Sequence, residues 1–214
     1  LANCTAPPGK KHERRSVDTR RLNRPYCGWQ RENIGHPVNF EYLDDALPGP
    51  HRLLGTVSVW KKQYEQAIAE GKRAIALDPN DADGYVTLGE ILRFAGRPEE
   101  GIELIEKAMR LNPQYPAMYL VTLGINYRVA GRYEEALTPL KRFRTLNPNV
   151  WHVQANLAAC YAELGRLEEA QTEVAELQRL APNFSLEVYK QFLPYKDPAG
   201  VERFLAGLRK AGLK

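Results

Sequence analysis

The chain is poor in cysteine, has no long apolar run and shows no clustering of its four histidines. No stretch approaches the roughly 18 consecutive apolar residues of a membrane span, and none has the apolar core of a secretory leader, so the sequence reads as a soluble chain. Cys4, Cys27 and Cys160 are an odd number in unrelated contexts, and neither Cys4 nor Cys27 has a second cysteine at metal-ligand spacing. This argues against a disulfide framework or a zinc module and for a reducing, cytoplasmic setting. His12, His36, His51 and His152 form no recognisable zinc or catalytic constellation. The expectation is therefore a chain without catalytic residues, metal or cofactor. Leu1 stands in the place of an initiator methionine, which leaves room for a fragment or a processed product.

What the sequence does contain is a period. Leu54-Gly55, Leu88-Gly89, Leu123-Gly124 and Leu157-Ala158 recur at intervals of 34 or 35 residues, and Pro79, Pro113, Pro148 and Pro182 follow in step. A period of this length marks a stack of helix pairs, none of which can bury its apolar face alone. Small residues stand where two helices must approach: Gly55, Gly89, Gly124 and Ala158 in the first helices, Ala67, Gly101, Ala136 and Ala170 in the second. The turn between them carries Gly96-Arg97, Gly131-Arg132 and Gly165-Arg166, where glycine accepts a left-handed backbone, but the first unit has Lys62 there. Paired carboxylates open the second helices at Glu99-Glu100, Glu134-Glu135 and Glu168-Glu169. Because they repeat with the fold and suit the positive helix end, they read as solvated first-turn residues and not as catalytic dyads. Asp81 and Asn149 are the expected N-caps of two first helices.

These columns, agreeing in register over about residues 48–182, resemble the tetratricopeptide repeat. The resemblance implies an all-α, right-handed superhelical solenoid of about four helix pairs, at roughly 48–81, 82–116, 117–150 and 151–184. Ser58 and Leu92 depart from the tyrosine that the family favours at the column of Tyr127 and Tyr161. Pro116 adds a residue before the third unit, and Pro139 falls inside its second helix, where a missing hydrogen bond costs about 3 kcal/mol unless a kink absorbs it. Such a kink would open the space that Phe143 fills.

Residues 1–47 break the pattern. Within the first 31, eight Lys and Arg face only Glu13 and Asp18, so the basic balance of the chain belongs here. The segment reads as a disordered leader. Its charge also permits a nucleic-acid tail, detectable as salt-dependent DNA binding lost on removal of residues 1–35. Residues 183–214 start no fifth unit. Asp197-Pro198 supplies an N-cap and first-turn proline, and Val201, Phe204, Leu205 and Leu208 follow helical spacing to Gly212, which predicts a capping helix over the last repeat. The runs Pro182-Asn183-Phe184-Ser185-Leu186-Glu187 and Pro194-Tyr195-Lys196-Asp197-Pro198 resemble the C-terminal tetratricopeptide regions of bacterial class III adenylate and guanylate cyclases. Only 47 unmatched residues precede the repeats, so the resemblance implies a regulatory portion without cyclase activity.

First helices line the concave face of a tetratricopeptide stack. The register projects Arg52, Trp60, Asp83, Glu90, Arg93, Phe94, Met118, Thr122, Arg128, His152, Asn156 and Glu163 into it, while Tyr85, Leu88, Leu92, Tyr127, Leu157 and Tyr161 go to packing. The groove mixes charges of both signs, which makes RNA an unlikely ligand. Its inner columns hold Val86 with Glu90, Val121 with Ile125 and Ala155 with Ala159, not the lysine and asparagine of the clamp that grips acidic C-terminal tails. The leading expectation is a protein-interaction scaffold that docks a peptide or a neighbouring domain. Arg93 and Arg128, one repeat apart on one ridge, are its first test positions.

Overall fold

The structure, a computed structural model, describes residues 45–213. The basic leader therefore lies outside the described residues up to position 44, and so does any nucleic-acid role assigned to it. Ten α-helices and no strand are found among the described residues: α1 Pro48–Trp60, α2 Tyr64–Leu77, α3 Ala82–Phe94, α4 Pro98–Leu111, α5 Met118–Val129, α6 Tyr133–Leu146, α7 Trp151–Glu163, α8 Leu167–Leu180, α9 Leu186–Gln191 and α10 Pro198–Lys210. The first eight form four antiparallel pairs. Each pair packs on the next, and the first helices α1, α3, α5 and α7 adjoin one another in a single wall.

Small residues set the crossing of each pair. A β-carbon added at Gly89 would lie 2.9 Å from the Gly101 carbonyl, and one at Gly124 would lie 2.6 Å from Leu140 Cγ. At Gly89 the backbone of the second helix, and at Gly124 the Leu140 side chain, occupies the space a β-carbon would need. Between the two helices of a pair, Gly96, Gly131 and Gly165 have φ between 75° and 82°, and Lys62 takes the same left-handed turn at φ 59° without being glycine. The arginine that follows each glycine then grips the second carboxylate of the Glu-Glu pair: Arg97 with Glu100 at 2.6 Å, Arg166 with Glu169 at 2.7 Å, and likewise Arg132 with Glu135. These guanidinium hydrogen bonds hold the three carboxyls below the usual range, the opposite of what a proton donor needs.

Asp81 caps α3, its carboxylate accepting from the Asp83 amide at 3.1 Å. Asn149 does not cap α7: the helix begins one residue later, after an extended Val150 that offers no side-chain cap, and Trp151 packs on Phe184 and Tyr189 from its first turn. α6 runs unbroken through Pro139, and Phe143 is buried behind it.

The tail turns back. α10, capped as expected by Asp197, packs mainly on α7 and only lightly on α8, so it covers the inner side of the last pair as well as its end. Residues Ala155, Ala159 and Ala162 of α7 make this possible, since all three are small and buried. A β-carbon at Gly207 of α10 would lie 3.5 Å from Ala159 Cα, in ordinary van der Waals contact. Leu205 and Leu208 are fully buried in the same seam.

Candidate docking groove

The wall of first helices presents two unlike halves. The half built by α1, α3 and the start of α5 is open. Trp60 is 57% exposed and Met118 51% exposed, and Leu53, two turns before Trp60 on the same face of α1, is 49% exposed. The same half carries a network of charged groups. Arg52 reaches Asp81 at 3.0 Å and Asp83 at 3.4 Å, and Asp83 in turn accepts from the Tyr119 hydroxyl at 2.5 Å. Glu90 pairs with Arg93 at 3.0 Å and keeps about half its surface in solvent.

The half built by the end of α3, by α5 and by α7 is filled by the chain itself. Arg93, 5% exposed, donates to the Tyr195 hydroxyl at 3.1 Å, and its guanidinium lies 4.3 Å from the Phe94 ring centroid. Phe94 packs on Tyr195 with centroids 4.8 Å apart, and its carbonyl accepts from the Lys196 amide at 2.8 Å. One repeat further on, Arg128 lies 4.4 Å from the Phe204 centroid and donates to Asn156 Oδ1 at 2.7 Å. Each such cation–π contact is worth roughly 0.5–2 kcal/mol when shielded from water. Asn156 donates onward to the His152 carbonyl at 2.7 Å. Burial, reinforced by the positive charge of Arg93, pushes the His152 imidazole down to about 4.

The register thus places the projected residues in three settings. Trp60, Asp83, Glu90, Met118 and Glu163 face solvent, and Arg52 is half-buried beside Asp83. Arg93, Phe94 and Arg128 meet the tail, and Asn156 is buried between Arg128 and the His152 carbonyl. Thr122 is buried, its hydroxyl donating to the Met118 carbonyl. Reversal of Arg93 and Arg128 is consequently no clean probe of an outside partner, because both charges are buried under residues 195–204. Sequence reasoning missed Tyr195, Lys196 and Phe204 as groove residues. A signal was available: the inner columns of α7 are all alanine where the other units carry larger side chains, and a surface that small is built for a helix to lie on. Cys160 is buried and its thiol is pushed up to about 12 by desolvation, as befits a packed side chain.

No helix of the described residues is long and apolar enough to cross a membrane. The profile of the family described as tetratricopeptide repeat matches residues 61–122 and 129–191. Among solved structures, YrrB, described as a TPR protein with an unusual peptide-binding site, is 22% identical, aligns 78% of this chain with 86% of its own and gives a TM-score of 0.54. PilW, a type IV pilus biogenesis factor, is 19% identical over 78% of this chain and 74% of its own, with a TM-score of 0.62. PilF of Pseudomonas aeruginosa is 23% identical over 79% and 78%, with a TM-score of 0.58. At these identities the likeness is one of fold. Superkiller protein 3 of Saccharomyces cerevisiae is 32% identical over 66 residues, which are 31% of this chain and only 5% of that protein.

Proposed function

Because the chain belongs to the tetratricopeptide repeat family, we propose that it is a non-catalytic scaffold for protein–protein interaction, docking a peptide segment or a neighbouring domain in its concave groove. The observation that carries this reading is the open half of the wall. Leu53 and Trp60 on α1 and Met118 at the start of α5 expose large apolar side chains along the wall, and Arg52, Asp83 and Glu90 of α1 and α3 supply charged groups to orient a polar main chain. The peptide-binding site attributed to YrrB supports a peptide as the ligand.

The test uses random peptides displayed on phage and selected on the full chain, with affinities then measured by fluorescence anisotropy. The double variant Trp60→Ala, Met118→Ala should bind the selected peptides at least about tenfold more weakly while melting at an unchanged temperature, since both side chains are already exposed. Equal affinity for the variant would move the site off this wall.

A second reading, the regulatory portion of a nucleotidyl cyclase or another signalling protein, rests on the resemblance of residues 182–213 to cyclase-associated repeats. A cyclase or other signalling reading frame continuous with this chain in its source genome would support it, and an upstream frame without any signalling output domain would remove it.

A further inference from the structure

Between α9 and α10 the chain runs without helix from Phe192 to Asp197 and crosses the wall to reach the end of α3, about a hundred residues earlier in sequence. The contact has the form of peptide recognition. The Lys196 amide donates to the Phe94 carbonyl, one of the acceptors that the end of a helix leaves without an intrahelical partner. Tyr195 is read by its ring, which packs on Phe94, and by its hydroxyl, which accepts from Arg93. Lys196 is read by a different repeat, its ammonium 3.5 Å from Glu65 and 5.9 Å from the Tyr64 centroid. Main chain, tyrosine and lysine therefore each have a dedicated partner.

The strap is also held lightly. Lys196 and Glu65 are both largely exposed, so their pairing is weak, and Phe192 is 59% exposed. Pro194 is the one buried residue between Gln191 and Ala199. Arg93 Nε is buried beside Tyr195 with no acceptor, so the strap leaves its main anchor incompletely satisfied. A ligand that offered one more acceptor there would bind better than the strap does.

We infer that the strap is a displaceable internal occupant of the groove, and that the site at the end of α3 takes in trans an extended peptide carrying a tyrosine followed by a lysine. The inference rests on the docking function proposed above and specifies both its ligand and its control: an incoming peptide must lift residues 192–197 off Phe94. The apparent affinity of the intact chain is then reduced by the fraction of time the strap is open.

The experiment uses a fluorescein-labelled peptide spanning residues 190–199 and the full chain. The double variant Tyr195→Ala, Lys196→Ala should bind this peptide at least about tenfold more tightly than the unmodified chain does. Adding Phe94→Ala to that variant should abolish binding, as should replacing the tyrosine of the peptide by alanine. On the unmodified chain, where no variant can misfold, the peptide should accelerate hydrogen exchange at the Lys196 amide. Equal affinity for the two chains, or a Lys196 amide that exchanges at the same rate with saturating peptide, would overturn the inference. A concentration-dependent dimer of the double variant that binds no peptide would also overturn it, naming a second copy as occupant. Where those strap tests fail, phage-selected peptides that still depend on Trp60 and Met118 leave the docking function standing without this inference.

Discussion

Lys62 holds a left-handed backbone, φ 59°, at the column where the other three units place glycine. A β-carbon in that conformation costs about 1–2 kcal/mol, part of which glycine returns as greater freedom in the unfolded chain. Lys62→Gly should stabilise the protein by about 1 kcal/mol, read as a higher urea midpoint at unchanged slope. Two histidines make stability depend on pH in opposite senses. The hydrogen bond that His51 donates to Glu70, helped by one to the Asp45 carbonyl, raises the His51 pKa, so its contribution is complete below the unfolded value near 6.5 and is lost as pH rises through the folded one. His152 is depressed to about 4, so the unfolded chain binds its proton first and stability falls as pH drops from about 6.5 toward that value, by at most about 1.4 kcal/mol per unit. Denaturation at about pH 5, 6.5 and 8 should show His152→Asn flattening the acid limb alone and His51→Gln the alkaline limb alone. Neither behaviour could be read from the sequence, since the partners lie 19 residues away for His51 and in another repeat for His152.

At the scale of the helix, glycines that look alike in sequence have different duties. A β-carbon at Gly101 would lie 2.4 Å from Asn126 Oδ1 and 2.6 Å from the Gly89 carbonyl, whereas one at Gly207 meets nothing nearer than 3.5 Å. Gly101→Ala should therefore cost about 2–3 kcal/mol through overpacking, and Gly207→Ala should gain up to about 1 kcal/mol from helix propensity. Thermal melting of the two variants distinguishes them by sign. The duty of Gly101 was legible, because small residues recur at its column in every unit; its closest neighbour Asn126 was not, because that contact crosses from one repeat to the next. Likewise, Ala159→Leu should displace α10 from α7, exposing Leu205 and Leu208 to an apolar dye, while the four helix pairs keep their helical circular dichroism.

At the scale of the whole molecule, a stack of repeats is held by nearest-neighbour contacts, and its ends are free to open separately. The tail departs from that rule by tying the fourth pair to the second through Tyr195 and Phe94, and to the third through Phe204 and Arg128. Tyr195→Ala should speed hydrogen exchange in α1 to α4 and leave α7 and α8 unchanged. Uniform exchange across the chain would show that the strap carries no such coupling.

The order of amino acids was enough to reveal the four helix pairs, their turns, their small-residue crossings and the cap on α10. Each of these depends on contacts within one repeat or between neighbours, and such contacts leave a mark at every period. Which part of the wall stays open was decided by the folded chain alone. The tail bonds residues about a hundred positions away, and it does so through a surface that exists only once α3, α5 and α7 stand side by side. The same columns therefore became open groove over α1 and the starts of α3 and α5, and buried interface over the end of α3, the rest of α5 and α7, because the alanines of α7 admit a helix and the buried arginines of α3 and α5 meet the aromatic rings of the tail.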